Sequence, residues 1–163
     1  MTASQKRFIR DWVRILCGHE DARITFSDIT TQCRVSYSYK NDKNGNITNL
    51  HNIKFLFPTN FDSTKILDYL DKEKVEIIKT FSVELFIILH EIGHVVCAEG
   101  MNSKMKREEM RQVMSIKNFA LQSKMYRQTT FEKSADNWAI NWMVTHPREA
   151  KRMTQFLNNC LQK

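Results

Sequence analysis

The chain has 163 residues, 42% hydrophobic and 26% charged, and a net charge of +7. That length and balance suit one globular domain over residues 1–163 with a core of its own, and they exclude a disordered or fibrous chain. No stretch approaches the ~18 consecutive apolar residues of a membrane span. The opening MTASQKRFIRDWVRIL threads charges through its apolar positions, unlike a secretory signal. The chain therefore reads as cytoplasmic, with no membrane partner. Its four cysteines are scattered without a CxxC pair, which argues against a disulfide framework or a Cys-rich zinc finger.

Ser4 is positioned to cap a first helix that buries Phe8, Ile9, Trp12, Val13 and Leu16 and stops at Gly18. Three strands follow: Arg23–Phe26, Cys33–Tyr39 with clean alternation, and Ile47–Phe57, ended by Pro58. Between the last two, Asn44-Gly45 predicts a tight hairpin with positive φ at both central positions. After Pro58 the periodicity turns helical: Ser63–Leu70, a long segment from Glu73 to Ala98 closed by Gly100, a weaker stripe over 105–125, a helix opened by Thr129 or Thr130, and a last one started near Thr145 and Pro147. The order predicts an α+β domain in which a small antiparallel β-sheet packs on helices. Basic residues gather over 104–127 (Lys104, Lys106, Arg107, Arg111, Lys117, Lys124, Arg127). They form either a solvated helix face or a surface for direct nucleic-acid contact.

The chemistry lies in IILHEIGHVVC, residues 87–97, where two histidines and a glutamate interrupt an apolar run. Burying such groups costs free energy unless something satisfies them. On a helix, residues four apart lie about 40° apart around the axis, so His90 and His94 project from one face with their imidazoles close enough to share an ion. Glu91, next round, can reach a water on that ion without being a ligand. This is the H-E-x-x-H arrangement of zinc metallopeptidases. The competing reading is a pair of core histidines bonded to backbone carbonyls.

A catalytic zinc site takes three protein ligands and leaves one position for water. Gly100 stands where the longer H-E-x-x-H-x-x-G-x-x-H pattern needs its third histidine, which excludes that subclass. Cys97 lies on the right face but nearly a turn beyond His94. Glu132, in TTFEKSADNWA (129–139), is the better candidate, with Asp136 one turn later placed to bond the far nitrogen of a metal-bound histidine. Ala135 and Ala139 would let the two helices approach closely. Thr129-x-x-Glu132 also fits a capping box, in which the glutamate only bonds the backbone at the helix start. The oxyanion-stabilising donor is sought at Tyr126 or His146, and Ile53–Phe57 is the expected edge strand beside an extended substrate.

HEIGH followed by EKSADNWA resembles the gluzincin metallopeptidases, and within them most closely the short ImmA/IrrE family, with its HExxH and E-x-x-A-x-x-F-A patterns. Glu132, Ala135 and Ala139 match, and Trp138 stands where phenylalanine is usual. The likeness covers roughly Phe81 to Met143. Asn141-Trp-Met-Val144 departs from the usual Leu-Leu-Met-Pro. The resemblance implies a cytoplasmic zinc peptidase, often carried on mobile elements and acting on a protein substrate such as a DNA-bound repressor. Two other classes use the same residues: a zinc-bound sensor that cleaves nothing, and a basic nucleic-acid-associated protein with structural zinc.

Overall fold

A computed structural model describes residues 1–61 and 66–161. The chain is α+β, with seven α-helices and one three-stranded sheet among those residues. Helix α1 (Ala3–Cys17) is capped by Thr2, not Ser4: the Thr2 hydroxyl accepts from Gln5 N, and the Gln5 side chain accepts from Thr2 N, completing a capping box. It ends as expected at Gly18, whose φ of 72° is the left-handed conformation that glycine adopts without strain.

The sheet holds β1 (Arg23–Ser27), β2 (Arg34–Asn41) and β3 (Ile47–Pro58) in the order β1-β3-β2. Only the β2–β3 pair is antiparallel; β1 runs parallel to β3, so the sheet is mixed rather than antiparallel. The β2–β3 turn also differs from expectation. Asn44 keeps an ordinary φ and only Gly45, at 82°, is positive. The turn instead closes through Gly45 N donating to Asp42 O, with the Asp42 carboxylate accepting from Asn44 N and Asn46 N. In β3 the buried positions run Ile47, Leu50, Ile53, Phe55, Phe57. The period of two is broken at Asn49 (φ 49°) and Asn52 (φ 54°), each inserting an extra residue so that the next apolar side chain still faces the core. Asparagine tolerates that conformation better than other residues bearing a Cβ.

Of the segment expected as Ser63–Leu70, residues 63–65 lie outside the described residues, and Ile66–Tyr69 forms a 3-10 turn. The long helix expected over 73–98 is two helices, α2 (Lys72–Thr80) and α3 (Val83–Val96). The break falls at Phe81-Ser82, where the Ser82 hydroxyl accepts from Leu85 N and starts α3 afresh. Cys97, not Gly100, caps its end; Gly100 instead donates its N–H to Ile47 O and ties the helix exit to β3. The weak stripe over 105–125 is likewise two helices, α4 (Ser103–Met114) and α5 (Phe119–Arg127). Helix α6 (Thr130–Thr145) and helix α7 (Pro147–Leu161), with proline in its first turn, complete the chain. Among the described residues no helix is long and apolar enough to cross a membrane.

Helix α3 is the centre of the fold. Its Leu85, Phe86, Ile88, Leu89, Ile92 and Val95 are buried in the same cluster as Ile9 and Val13 of α1, Phe55 and Phe57 of β3, and Met153 and Leu157 of α7. Trp12 and Trp142 meet edge to face at 5.7 Å, and Trp12 Nε1 donates to Glu149 at 3.0 Å, fastening α1 to α6 and α7.

Candidate metal centre and cleft

Helices α3 and α6 cross where side chains are smallest. A Cβ on Gly93 would lie 2.9 Å from the Ala135 carbonyl oxygen and 3.0 Å from its Cα, so only glycine permits this approach. Ala135 and Ala139 are fully buried on the facing side, as their size led us to expect. The close crossing brings His90 and His94 against the first turn of α6. His90 Nε2 lies 3.3 Å from Glu132 Oε2, and His94 Nε2 lies 3.2 Å from Glu132 Oε1. His90, His94 and Glu132 are all buried, and one ligand atom from each lies within 4.8 Å of the others. The histidines thus face a carboxylate and each other rather than backbone carbonyls.

Only half of the capping box is present. Thr129 is the cap of α6, accepting from Glu132 N at 3.4 Å, but the Glu132 carboxylate turns to the histidines instead of back to the Thr129 amide. Thr130 is taken up elsewhere, donating its hydroxyl to Glu109 at 2.6 Å. Asp136, one turn further on, places Oδ1 2.8 Å from His90 Nδ1. Two imidazole nitrogens and one carboxylate are the donor set of a divalent ion of intermediate softness, and all three residues line the cleft. These residues fit a bound metal.

The cleft has a volume of about 470 Å³ and is lined by His90, Glu91, His94, Tyr126, Phe131 and Glu132, facing residues 31–35 across it. Those residues lead into β2. The expected edge strand, Ile53–Phe57, belongs to β3, which is flanked on both sides and cannot accept another strand. The hairpin puts β2 outermost instead, so its Arg34 and Val35 line the cleft, with Cys33 just before them.

Electrostatics separate the roles of neighbouring groups. Burial raises the Glu91 carboxyl to about 7, against a hydrogen bond from the Val35 backbone that lowers it. Burial lowers His94 to about 4. Burial also works against a proton on His90, yet Asp136 and Glu132 beside it prevail and raise it to about 9. At Glu132 burial raises the carboxyl, but the bonds to His90 and His94 outweigh it and hold it well below the usual carboxylate range. Tyr126 lines the cleft beside Glu132, and burial together with the Glu132 charge pushes its hydroxyl upward, keeping it a donor.

Two other candidates stand apart. His146 caps the C-terminus of α6, stacked on Trp142 at 5.1 Å with Nδ1 2.9 Å from the Thr145 hydroxyl, outside the cleft lining. Cys97 donates its thiol to Ser134 O at 3.6 Å and is outside the ligand cluster.

Four residues of the site escaped the sequence. Gly93 is the first, at the helix crossing. Phe131 stacks on His94 at 4.0 Å and 19°, and Lys106 lies over the Phe131 ring, 3.6 Å from its centroid, donating to the Tyr37 hydroxyl at 3.0 Å. Arg127 turns inward to contact Glu132 and Asp136. Lys106 and Arg127 were counted with the basic run, and neither belongs to an open charged face. Only Phe131, next to Glu132 in the chain, and Arg127, five residues before it, gave any hint of their roles.

No curated protein and no solved structure matches the chain. A family model described as Peptidase U49 matches residues 68–160, more than half of the chain and all of the helices that build the ligand cluster. The chain belongs to the Peptidase U49 family.

Proposed function

We propose that this protein is a zinc-dependent metallopeptidase of gluzincin type, similar to the ImmA/IrrE enzymes, that hydrolyses a peptide bond in a protein substrate. The observation that carries the reading is the convergence of His90, His94 and Glu132 in one buried cluster, with Glu91 beside it in the cleft, in a member of a peptidase family. His90, His94 and Glu132 would hold the ion, and Asp136 would fix the His90 ring through its far nitrogen. Zinc, when bound, polarises a carbonyl and lowers the pKa of water towards roughly 7. Glu91 takes the proton of the attacking water and returns it to the leaving amine; a carboxyl near neutrality suits both halves of that task. Tyr126 is the donor for the developing oxyanion. The substrate backbone lies extended along the outer edge of β2, beside the cleft, and adds one more strand there.

The substrate we propose is a cytoplasmic regulatory protein such as a DNA-bound repressor, recruited by the exposed basic residues Lys104, Arg107, Lys117 and Lys124. Purified wild type is expected to carry about one zinc per chain, Glu132→Ala much less, and Glu91→Gln as much as wild type but with no proteolysis. A wild type that stays metal-free after zinc is supplied would sink the reading. A Glu91→Gln variant with full biological function would replace it with a zinc-bound sensor. Function lost on reversing Lys104 and Arg107 but kept in Glu91→Gln, with steeply salt-dependent DNA binding, would point to a nucleic-acid-associated protein with structural zinc.

A further inference from the structure

Arg127 closes α5 and turns its guanidinium into the ligand cluster, leaving its side chain only 12% exposed. Nη1 contacts Glu132 Oε2 and lies 3.3 Å from His90 Nε2, while Nη2 lies 2.6 Å from Asp136 Oδ1. That Glu132 oxygen is the one nearest His90, at 3.3 Å. A single guanidinium nitrogen therefore rests against two of the three groups that would hold an ion. A ligated zinc sits about 2.0–2.2 Å from nitrogen and oxygen donors, and a positive nitrogen already touching the same pair occupies that approach. Cations this close repel strongly where little water screens them.

We propose that Arg127 is a resident counter-cation of the pocket: it neutralises Glu132 and Asp136 while the metal is out and must release Glu132 for the metal to enter. The inference rests on the metal-centre reading above and names how that centre is regulated. Without such a cation, two carboxylates one turn apart on α6 would be buried beside Glu91 with too little positive charge to compensate them. The helix that carries Arg127 is built to let it go. Among the described residues none of the nine in α5 is buried, and Phe119, Leu121 and Met125 are 80%, 49% and 43% exposed. Withdrawing the guanidinium unpacks no core. Any contact that draws α5 away from α6 raises metal affinity, and any contact that holds it in place lowers it.

The test is a titration of the metal-free protein with zinc against a chromophoric chelator, in wild type, Arg127→Met and Arg127→Lys. Arg127→Met is expected to bind zinc at least tenfold more tightly than wild type. Arg127→Lys falls between, because lysine keeps the charge but cannot fork to both carboxylates. Without zinc, Arg127→Met unfolds at a lower temperature than wild type, and zinc restores it. Unchanged or weaker zinc binding in Arg127→Met overturns the counter-cation role and makes Arg127 a prop for its ligands. A wild type that binds no zinc fails differently, because it removes the metal-centre reading itself and the inference with it. Should metal-free Arg127→Met not fold, wild-type uptake kinetics decide. A rate that levels off with rising zinc reports the withdrawal step, and a rate that stays proportional to zinc overturns it.

Discussion

Helix α3 buries ten of its fourteen residues, and α5 buries none of its nine. Both reach the same cluster: α3 through His90 and His94, α5 through Arg127. The pair α3 and α6, which brings His90, His94 and Glu132 together, is clamped by the Gly93–Ala135 crossing and by apolar packing on nearly every side of α3. Helices α4 and α5 lie on the outside, held by a few side chains such as Val113 and by polar ties such as Glu109 to Thr130. On the metal-centre reading, the groups that would hold the ion sit on the densely packed pair, and the charge proposed to move sits on the sparsely packed one. Regions drawn from the low-stability end of a fold are those that can open without global unfolding.

The strongest way to break this contrast is to hollow out the rigid side. Phe86 is fully buried on α3 with its ring 6.0 Å from His90. Phe86→Ala is expected to cost about 3–5 kcal/mol, the usual toll of a cavity left by a core aromatic. Urea denaturation would measure it, and metal affinity should fall with it because the support of His90 goes too. A loss under about 1 kcal/mol, well below that range, would mean that α3 is no more rigid than its neighbours.

The second prediction uses pH. Burial raises Glu91 from 4.5 to about 7, so the folded metal-free protein prefers the protonated form more than the unfolded chain does. The stability this gives is complete below pH 4.5 and is lost as pH rises through about 7. His94 runs the other way: its depressed value, about 4, gives stability that is present above 6.5 and lost as pH falls towards 4. Comparing wild type with Glu91→Gln cancels the histidine contribution. In the absence of metal, Glu91→Gln should be the more stable at about pH 8, by about 3 kcal/mol, since each tenfold change in a protonation equilibrium is worth about 1.4 kcal/mol. The gap should close by about pH 4, where Glu91 is protonated in both states. Thermal melts at the two pH values test this, and parallel pH profiles would refute it.

The rigid side was also the legible side. His90, Glu91 and His94 share a short helical stretch set by spacing within five residues, and Glu132 and Asp136 share a second by the same spacing. Glu132 is preferred over a helix cap only because HEIGH stands upstream, and the structure brings both histidines to Glu132 and His90 to Asp136. Pairing through space was not legible. The hairpin was visible in Asn44-Gly45, but β1 joining the far side of β3 in parallel, which leaves β2 as the edge at the cleft, depends on contacts between residues far apart in the chain. The break before α3 hid because Phe81 and Val83 continue an apolar pattern across the Ser82 cap. Arg127 hid because a charge in a basic run looks like a solvated charge until Glu132 and Asp136 are seen folded against it.

A smaller effect is expected at the crossing itself. Gly93→Ala places a methyl 2.9 Å from the Ala135 carbonyl oxygen, a backbone atom that cannot rotate away. The helices must part by a few tenths of an ångström, at about 1–3 kcal/mol for an overpacked contact, offset in part by the better helix propensity of alanine, about 1 kcal/mol. Metal affinity should fall more than stability does, because the shift widens the gap between the histidines of α3 and Glu132 of α6. A chelator competition on a variant that melts within a few degrees of wild type would show this; equal affinities would mean that the ligand cluster adapts to the wider spacing.

The least effect is expected from an exposed aromatic side chain on α5. Phe119 opens α5 and is 80% exposed, so replacing it with serine removes little buried area. Phe119→Ser should change stability by no more than about 0.5 kcal/mol, as for surface substitutions away from special features. Zinc affinity should also hold, since Arg127 stands at the other end of the helix. The comparison between the two helix pairs depends on this unchanged stability more than on any loss at Phe86, because a buried aromatic is costly to remove in any fold. If Phe119→Ser lowered stability by about 2 kcal/mol, a core-like loss, α5 would have to pack in solution as α3 does. A helix held that firmly could not release its arginine at small cost, and metal uptake would have to proceed with Arg127 in place.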